Sequence, residues 1–273
     1  MAEMVGKYYL LNGKVLETVK DDVSFKRSSI YEVMKVLRGK PLFLKDHLNR
    51  FKISLEMAGF KDLVDIEIIK KQVWELIEIN DISGVNVRIV ITPDKDGYDL
   101  MMYLLKTAVP PELSSDLGVL ARTYKGRRKD PNIKSTAESY KDLLEKQEYQ
   151  GVFELLFVDE KNEILEGSKT NVFFVKKDGI YTAPAGSVLP GITRKQIFSI
   201  CMEESIKITE KYISLKELEE VEAVFLTGTS IGVLPVSKID DTNFDLNDKT
   251  VSMLAEKYEE RASRDIERAE MPK

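Results

Sequence analysis

Glu166-Gly167-Ser168-Lys169-Thr170-Asn171-Val172-Phe173 ends one short strand, turns, and begins the next. Ile164–Glu166 and Asn171–Val175 read as β-structure on either side, with Gly167 suited to the turn. Working outward, Val152–Val158 is a further strand upstream, and Asp178-Gly179 fits a tight hairpin leading to a strand over Ile180–Thr182. Thr193-Arg194-Lys195-Gln196 has the Ser/Thr-x-x-Glu/Gln form of a capping box, so a helix is expected to start there. Ser214-Leu215-Lys216-Glu217 repeats the form. Ala223–Leu226 reads as a buried strand that runs into Thr227-Gly228-Thr229-Ser230. A charged helix or frayed end follows over Ala255–Lys273.

The first half has its own pattern. Ile30-Tyr31-Glu32-Val33-Met34-Lys35-Val36 alternates with period two, a half-buried strand. It turns at Arg38-Gly39-Lys40 into a second strand over Pro41–Leu44. Leu48, Phe51 and Leu55 lie at helical spacing, as do Ile69, Val73, Leu76 and Ile77. Val85–Thr92 and Asp99–Thr107 read as two more strands, and Tyr8–Leu11, Asn12-Gly13, Lys14–Leu16 as a hairpin. Pro110-Pro111-Glu112-Leu113-Ser114-Ser115 is the best linker. The expected organisation is a small domain over 1–112, a linker at 113–118 and a larger domain over 119–273. The larger domain opens with a strand near Gly118–Tyr124, a basic loop Lys125–Lys129 and a helix over Ser135–Gln147. The alternation of strands and helices predicts a mixed α/β protein.

Composition excludes several functions. The 273 residues carry a net charge of −5, which argues against a protein built to coat nucleic acid. The single cysteine, Cys201, permits no intramolecular disulfide and suits a reducing cytoplasm. The first sixteen residues lack a basic segment followed by an apolar one, so no signal peptide is expected, and no apolar run is long enough to span a bilayer. The only histidine is His47. A Ser-His-Asp triad would rest on it alone, and a His-rich or Cys-rich metal site cannot be built.

Three stretches in order are informative together: Glu166–Phe173, then Leu189-Pro190-Gly191-Ile192-Thr193-Arg194, then Thr229-Ser230 followed by Leu234-Pro235-Val236. Upstream lie Lys134 in Pro131-Asn132-Ile133-Lys134-Ser135-Thr136, and Ser29-Ile30-Tyr31-Glu32-Val33 followed by His47-Leu48-Asn49-Arg50. This order resembles the class IV aminotransferases, over about Val23 to Ile239. That family includes branched-chain and D-amino-acid aminotransferases and aminodeoxychorismate lyase. The resemblance implies the fold-type IV architecture: a smaller N-terminal α/β domain, a larger β-barrel-like domain with helices, and pyridoxal 5'-phosphate held between them in a homodimer.

It also implies roles, residue by residue. Lys134 matches the lysine that joins covalently to the cofactor and moves a proton; a free lysine titrates near about 10.4, so its surroundings must make it a better base. Read alone, it is an ordinary surface lysine. Glu166 matches the carboxylate that keeps the pyridine nitrogen protonated; read alone, it is a strand-end glutamate. Gly191-Ile192-Thr193 matches the phosphate cradle at a helix N-terminus, Thr229 the second phosphate hydroxyl with Ser230 beside it, and Arg50 the phosphate arginine. His47, on the same helix face as Arg50, reads as its helper or as an ordinary helix residue, not as the general base. Tyr140 stands six residues after Lys134, where relatives place a tyrosine four or five after; one helical residue turns a side chain by about 100°. Tyr31 matches a tyrosine near the substrate; read alone, it is equally a core aromatic. Arg88 resembles the strand arginine that meets the acidic side chain of glutamate or 2-oxoglutarate, and read alone it pairs with Asp99 or Glu32. Branched-chain members carry a tyrosine where Asn86 stands, and Ile91-Thr92-Pro93-Asp94 lacks the arginine-glycine pair of D-amino-acid members. Arg127-Arg128-Lys129 reads as a solvated loop, with contact to a substrate carboxylate as the other reading. The expected activity is amino transfer between an amino acid, foremost a branched-chain L-amino acid, and a 2-oxo acid. Transfer from D-amino acids, the lyase reaction, and a non-catalytic binding protein on the same scaffold are the alternatives.

Overall fold

A computed structural model describes residues 4–18, 29–60, 64–94, 97–107, 118–136, 146 and 149–271. The chain divides into two compact units, one of Met1–Ala108, Ile133–Glu138 and Arg261–Lys273, the other of Val109–Asn132 and Ser139–Glu260. The expected boundary put everything after 118 in the second unit. The segment around Lys134 and the C-terminal end instead cluster with the first.

The first unit is a six-stranded antiparallel sheet in the order β2-β1-β6-β5-β3-β4. Its strands are β1 (Met4–Leu11), β2 (Lys14–Glu17), β3 (Ile30–Leu37), β4 (Lys40–Pro41), β5 (Val85–Asp94) and β6 (Gly97–Lys106). Asn12 and Gly13 both take positive φ, 51° and 77°, as the β1–β2 turn requires. The expected strand over Pro41–Leu44 is only two residues long, because Phe43 adopts a left-handed conformation and helix α1 (Leu44–Met57) begins at once. Asp265 fixes that entry by accepting a hydrogen bond from the Phe43 N–H at 2.7 Å. Helix α2 (Ile66–Asn80) is capped by Asp65, whose side chain accepts from Glu67 N–H. Leu48, Phe51 and Leu55 of α1 and Ile69, Val73, Leu76 and Ile77 of α2 bury against Ile30, Met34 and Val36 of β3 and Val87, Ile89 and Ile91 of β5. The opposite face of the sheet carries Tyr31, Val90, Met101, Tyr103 and Leu105.

The second unit is built on a ten-stranded sheet, β12-β11-β10-β14-β15-β7-β8-β9-β13, with β16 paired to β15. It comprises β7 (Val119–Lys125), β8 (Glu154–Val158), β9 (Glu163–Gly167), β10 (Asn171–Lys176), β11 (Gly179–Thr182), β12 (Ile208–Glu210), β13 (Ile213–Ser214), β14 (Ala223–Gly228), β15 (Gly232–Ile239) and β16 (Thr242–Asn243). The two strands at the ends of this order, β12 and β13, are joined by Lys211-Tyr212 alone, so the sheet must curl round on itself, which is the barrel-like form expected. Val172, Phe174, Val224, Leu226 and Val236 fill its core. Helix α3 (Ile192–Glu203) packs on the other face, where Phe173 stacks on Phe225 and meets Phe198 edge-on. The Ser214–Glu217 capping box is present, on a short 3-10 helix (Leu215–Glu220). Helix α4 (Lys249–Arg268) ends the described chain, and no described helix is long and apolar enough to cross a membrane.

Candidate active site

Lys134 is held by backbone pairing. Tyr31 N–H donates to its carbonyl at 2.9 Å, Ser135 bridges Ile30, and Thr136 N–H donates to the Ser29 carbonyl at 2.8 Å. The helix expected from Ser135 therefore does not start there: Ser135 and Thr136 extend the sheet beside β3. Tyr140 and, apart from Lys146, the rest of that expected helix lie outside the described residues, as does the proline-rich linker. The Lys134 ammonium sits 4.9 Å from the centre of the Tyr31 ring, and the Arg88 guanidinium 4.5 Å from the same centre. Arg88 is opposite Tyr103 in the β5–β6 register and hydrogen-bonds it. Burial pushes the Tyr103 hydroxyl up to about 12, so it stays protonated. Arg88 thus meets Tyr103 and the Tyr31 ring, on the face opposite Glu32, rather than the carboxylates a surface reading suggested. Asn86 is buried two residues along the same strand, on the same face.

Glu32 points to the other face of β3, with Ile30 and Met34, and is fully buried. A carboxylate there must be paired. Arg50 forks onto it, Nε to Oε2 at 2.9 Å and Nη2 to Oε1 at 2.5 Å, and His47 Nδ1 lies 3.1 Å from Oε1. Burial alone would raise the Glu32 carboxyl; Arg50 and then His47 outweigh it and hold it well below the usual carboxylate range. Burial pushes the His47 imidazole down, against the pull of Glu32, and Arg50 and Lys134 add to the lowering. His47 is therefore neutral at pH 7 and donates through Nδ1. Both folded-state values lie below their unfolded ones, so the unfolded chain takes up protons first as pH falls. Stability is full above about 6.5, falls below it as His47 protonates in the unfolded chain, and falls again below about 4.3 through Glu32. Thermal melts between about pH 8 and pH 5.5 should show the first limb, and His47→Asn, which keeps a donor near Nδ1 but cannot titrate, should flatten it.

In the second unit Glu166 ends β9 and is buried. It accepts from Leu189 N–H at 3.0 Å and from Asn171 Nδ2 at 3.4 Å, and Arg128 Nε lies 3.1 Å away. Arg128 is therefore not part of a solvated loop: its side chain is only 13% exposed, whereas Arg127 and Lys129 are exposed. Asn171 also donates to the Leu189 carbonyl at 3.0 Å, and a Cβ on Gly191 would stand 2.1 Å from Asn171 Oδ1. Position 191 must be glycine for the chain to pass this close.

Gly191, not Thr193, is the N-cap of α3, and no side chain caps it. Thr193 and Gln196 lie inside the helix and are buried, so the expected capping box is absent. The amides of Ile192, Thr193 and Arg194 precede the first i−4 acceptor of the helix and, among the described residues, remain available at its positive end. Arg194 faces away, donating to the Ala183 carbonyl and to Glu210 at 2.6 Å. Thr227, directly across from Asn171 in the β10–β14 register, is buried with a hydroxyl that makes no hydrogen bond among the described residues. Thr229 and Ser230 follow in the half-buried turn before β15. Open helix amides, a buried orphan hydroxyl and, near them, a fixed carboxylate are what a phosphorylated aromatic base requires, so these residues fit pyridoxal phosphate.

Sequence reasoning missed Glu32, Asn171, Arg128 and Glu154 as parts of the framework. The signal existed for Glu32 and Glu154, the first on a strand face otherwise made of Ile30, Met34 and Val36, the second opening an otherwise apolar strand.

A match to the amino-transferase class IV family runs over residues 29–239. The chain belongs to that family of pyridoxal-phosphate enzymes. Branched-chain-amino-acid aminotransferase-like protein 2 of Arabidopsis thaliana is 28% identical over 82% of this chain, which spans 43% of that longer protein. D-alanine aminotransferase of Bacillus licheniformis is 28% identical over 85% of this chain and 88% of its own length. The fold is that of the branched-chain aminotransferase of the thermophilic archaeon Thermoproteus uzoniensis, solved with norvaline: TM-score 0.83, 20% identity, 96% of each chain covered.

Proposed function

We propose that this chain transfers the amino group of a branched-chain L-amino acid to a 2-oxo acid such as 2-oxoglutarate. The observation that carries the reading is the pair of cations beside one tyrosine: Lys134 at 4.9 Å and Arg88 at 4.5 Å from the Tyr31 ring. An amine that does chemistry and a guanidinium that binds carboxylate suit an acidic co-substrate. When bound, the cofactor supplies the electron sink that lets the α C–H bond break.

Lys134 Nζ would hold the cofactor covalently and, once freed from it, would move the substrate α-proton. Glu166 would face the pyridine nitrogen and keep a proton there. Ile192 and Thr193, with Thr229, Ser230 and Arg50, hold the phosphate, and Tyr31 and Arg88 orient the substrate. Two of Arg50's donors are committed to Glu32, so it offers phosphate a rigid, partly neutralised group. The reading takes the chain as a homodimer acting in the cytoplasm, supported by the family resemblance and by the single cysteine.

The test is a substrate panel on protein loaded with pyridoxal phosphate: L-leucine and D-alanine with 2-oxoglutarate, and aminodeoxychorismate alone. L-leucine is expected to react at least about tenfold faster than D-alanine, a difference of about 1.4 kcal/mol in the barrier. Faster D-alanine turnover assigns the chain to D-amino acids. Pyruvate from aminodeoxychorismate makes it a lyase. Protein that stays colourless with the cofactor is a non-catalytic member of the fold.

A further inference from the structure

Glu154 opens β8 and is completely buried, yet no basic side chain pairs with it among the contacts described. Its charge is met by a ring of neutral donors. Oε1 accepts from Leu155 N–H at 3.0 Å, Ser168 N–H at 3.0 Å and Ser168 Oγ at 2.5 Å. Oε2 accepts from Thr170 Oγ1 at 2.8 Å and Lys169 N–H at 3.3 Å. Four of these five donors belong to Ser168–Thr170, the turn that leaves Glu166. Gly167 closes the same turn, its N–H donating to the Thr170 carbonyl at 2.8 Å. A Cβ on Gly167 would stand 2.2 Å from Thr170 Oγ1 and 2.8 Å from the Glu154 carboxyl. The Glu166-Gly167-Ser168 sequence is thus shaped around a carboxylate twelve residues earlier.

The turn also reaches the candidate cofactor anchor from its far side. Arg128 Nη2 donates to the Ser168 carbonyl at 2.6 Å while its Nε lies 3.1 Å from Glu166. Glu154 fixes Ser168, Ser168 fixes Arg128, and Arg128 stands against Glu166. Hydrogen bonds to a charged acceptor are the strong ones, so this turn is held more firmly than loop backbone usually is.

We propose that Glu154 is a positioning residue for the Arg128–Glu166 pair, setting through the Ser168–Thr170 turn how strongly Glu166 holds the cofactor's ring proton. It rests on the reading of Glu166 as the partner of the pyridine nitrogen. Glu154 itself touches no substrate or cofactor in this account.

Glu154→Gln tests it. The amide keeps shape and volume, but its NH2 faces donors and loses at least two of the five bonds. Two readouts apply. In cofactor-free protein, amide hydrogen exchange at 168–170 should quicken about tenfold or more. In loaded protein, the pH midpoint of the visible spectrum should move by about half a unit or more. Turnover should fall about tenfold to a hundredfold with the amino-acid KM little changed. Ser168→Ala, which removes one donor and leaves the carboxylate otherwise satisfied, should move both readouts the same way by less. It carries the test if Glu154→Gln does not fold. Faster exchange with an unmoved spectral midpoint makes Glu154 merely structural and overturns the proposal, as does unchanged exchange. A wild-type protein without a visible band on adding pyridoxal phosphate overturns the reading of Glu166, and this one with it. A wild-type band whose midpoint the variant leaves in place overturns the role of Glu154 alone.

Discussion

Lys134→Ala protein is expected to fold as the wild type does and to transfer amino groups at least about ten-thousandfold more slowly, the upper range of what a positioned acid-base group contributes. The fold should survive because the segment is anchored through its backbone. Tyr31 N–H meets the Lys134 carbonyl, and Ser135 and Thr136 pair with Ile30 and Ser29, none of which needs the lysine side chain. Catalysis should not survive, because one amine is asked both to hold the cofactor and to carry the α-proton. The only other cation this close to the Tyr31 ring among the described residues is Arg88, which stays protonated at any accessible pH and cannot serve as base. Rates of 2-oxoglutarate-dependent L-leucine consumption, with melting curves on the same samples, check both halves. A small primary amine such as methylamine, added in solution, should restore part of the rate by supplying the missing base. A variant that keeps more than about a tenth of wild-type turnover would move the catalytic role to another residue.

Local physics was legible where it is local. The alternation of Ile30–Val36, the Asn12-Gly13 turn and the stripes of Leu48, Phe51, Leu55 and Ile69, Val73, Leu76 each depend on a few neighbouring residues, and each element formed. The capping motif at Thr193–Gln196 misled because a helix start is set by where the chain leaves extended geometry. Here that is Gly191, forced by the close approach of Asn171, twenty residues earlier in sequence. The strand-like pairing at Ser135 was not legible either, because its partner Ile30 in β3 lies about a hundred residues away.

Charged residues divide in the same way. Alternation alone puts Glu32 on the face shared by Ile30 and Met34, and so predicts that it needs a buried partner, but Arg50 and His47 reach it only once α1 packs on the sheet. Arg128 looked solvated because its neighbours Arg127 and Lys129 are. Its bond to the Ser168 carbonyl places it beside Glu166. Residue types named the chemistry; tertiary contacts chose which of several similar side chains perform it.

Removing the Glu32 side chain should be the most destabilising single change in the first unit. Arg50 is 6% exposed and His47 1%, so Glu32→Ala leaves a buried guanidinium facing a void with two of its donors unmet. Breaking one side of such a pair costs about 3–5 kcal/mol, whereas replacing both partners with apolar residues of similar volume is close to neutral. Glu32→Ala should therefore lower the unfolding free energy in urea by about 3–5 kcal/mol, and Glu32→Met with Arg50→Met should recover most of it. Pyridoxal phosphate affinity ought not to recover. If Arg50 also binds phosphate, the double variant loses a charge-assisted contact of about 1.5–3 kcal/mol, roughly ten- to a hundredfold in Kd. Stability and affinity should thus separate, because the proposed function gives the same guanidinium two partners, Glu32 in the core and the cofactor phosphate. A double variant that regains stability and affinity together would leave Arg50 a packing residue and return the phosphate to α3 and the Thr229-Ser230 turn alone. A single variant that costs less than about 1 kcal/mol would mean that water reaches Arg50 when Glu32 is gone.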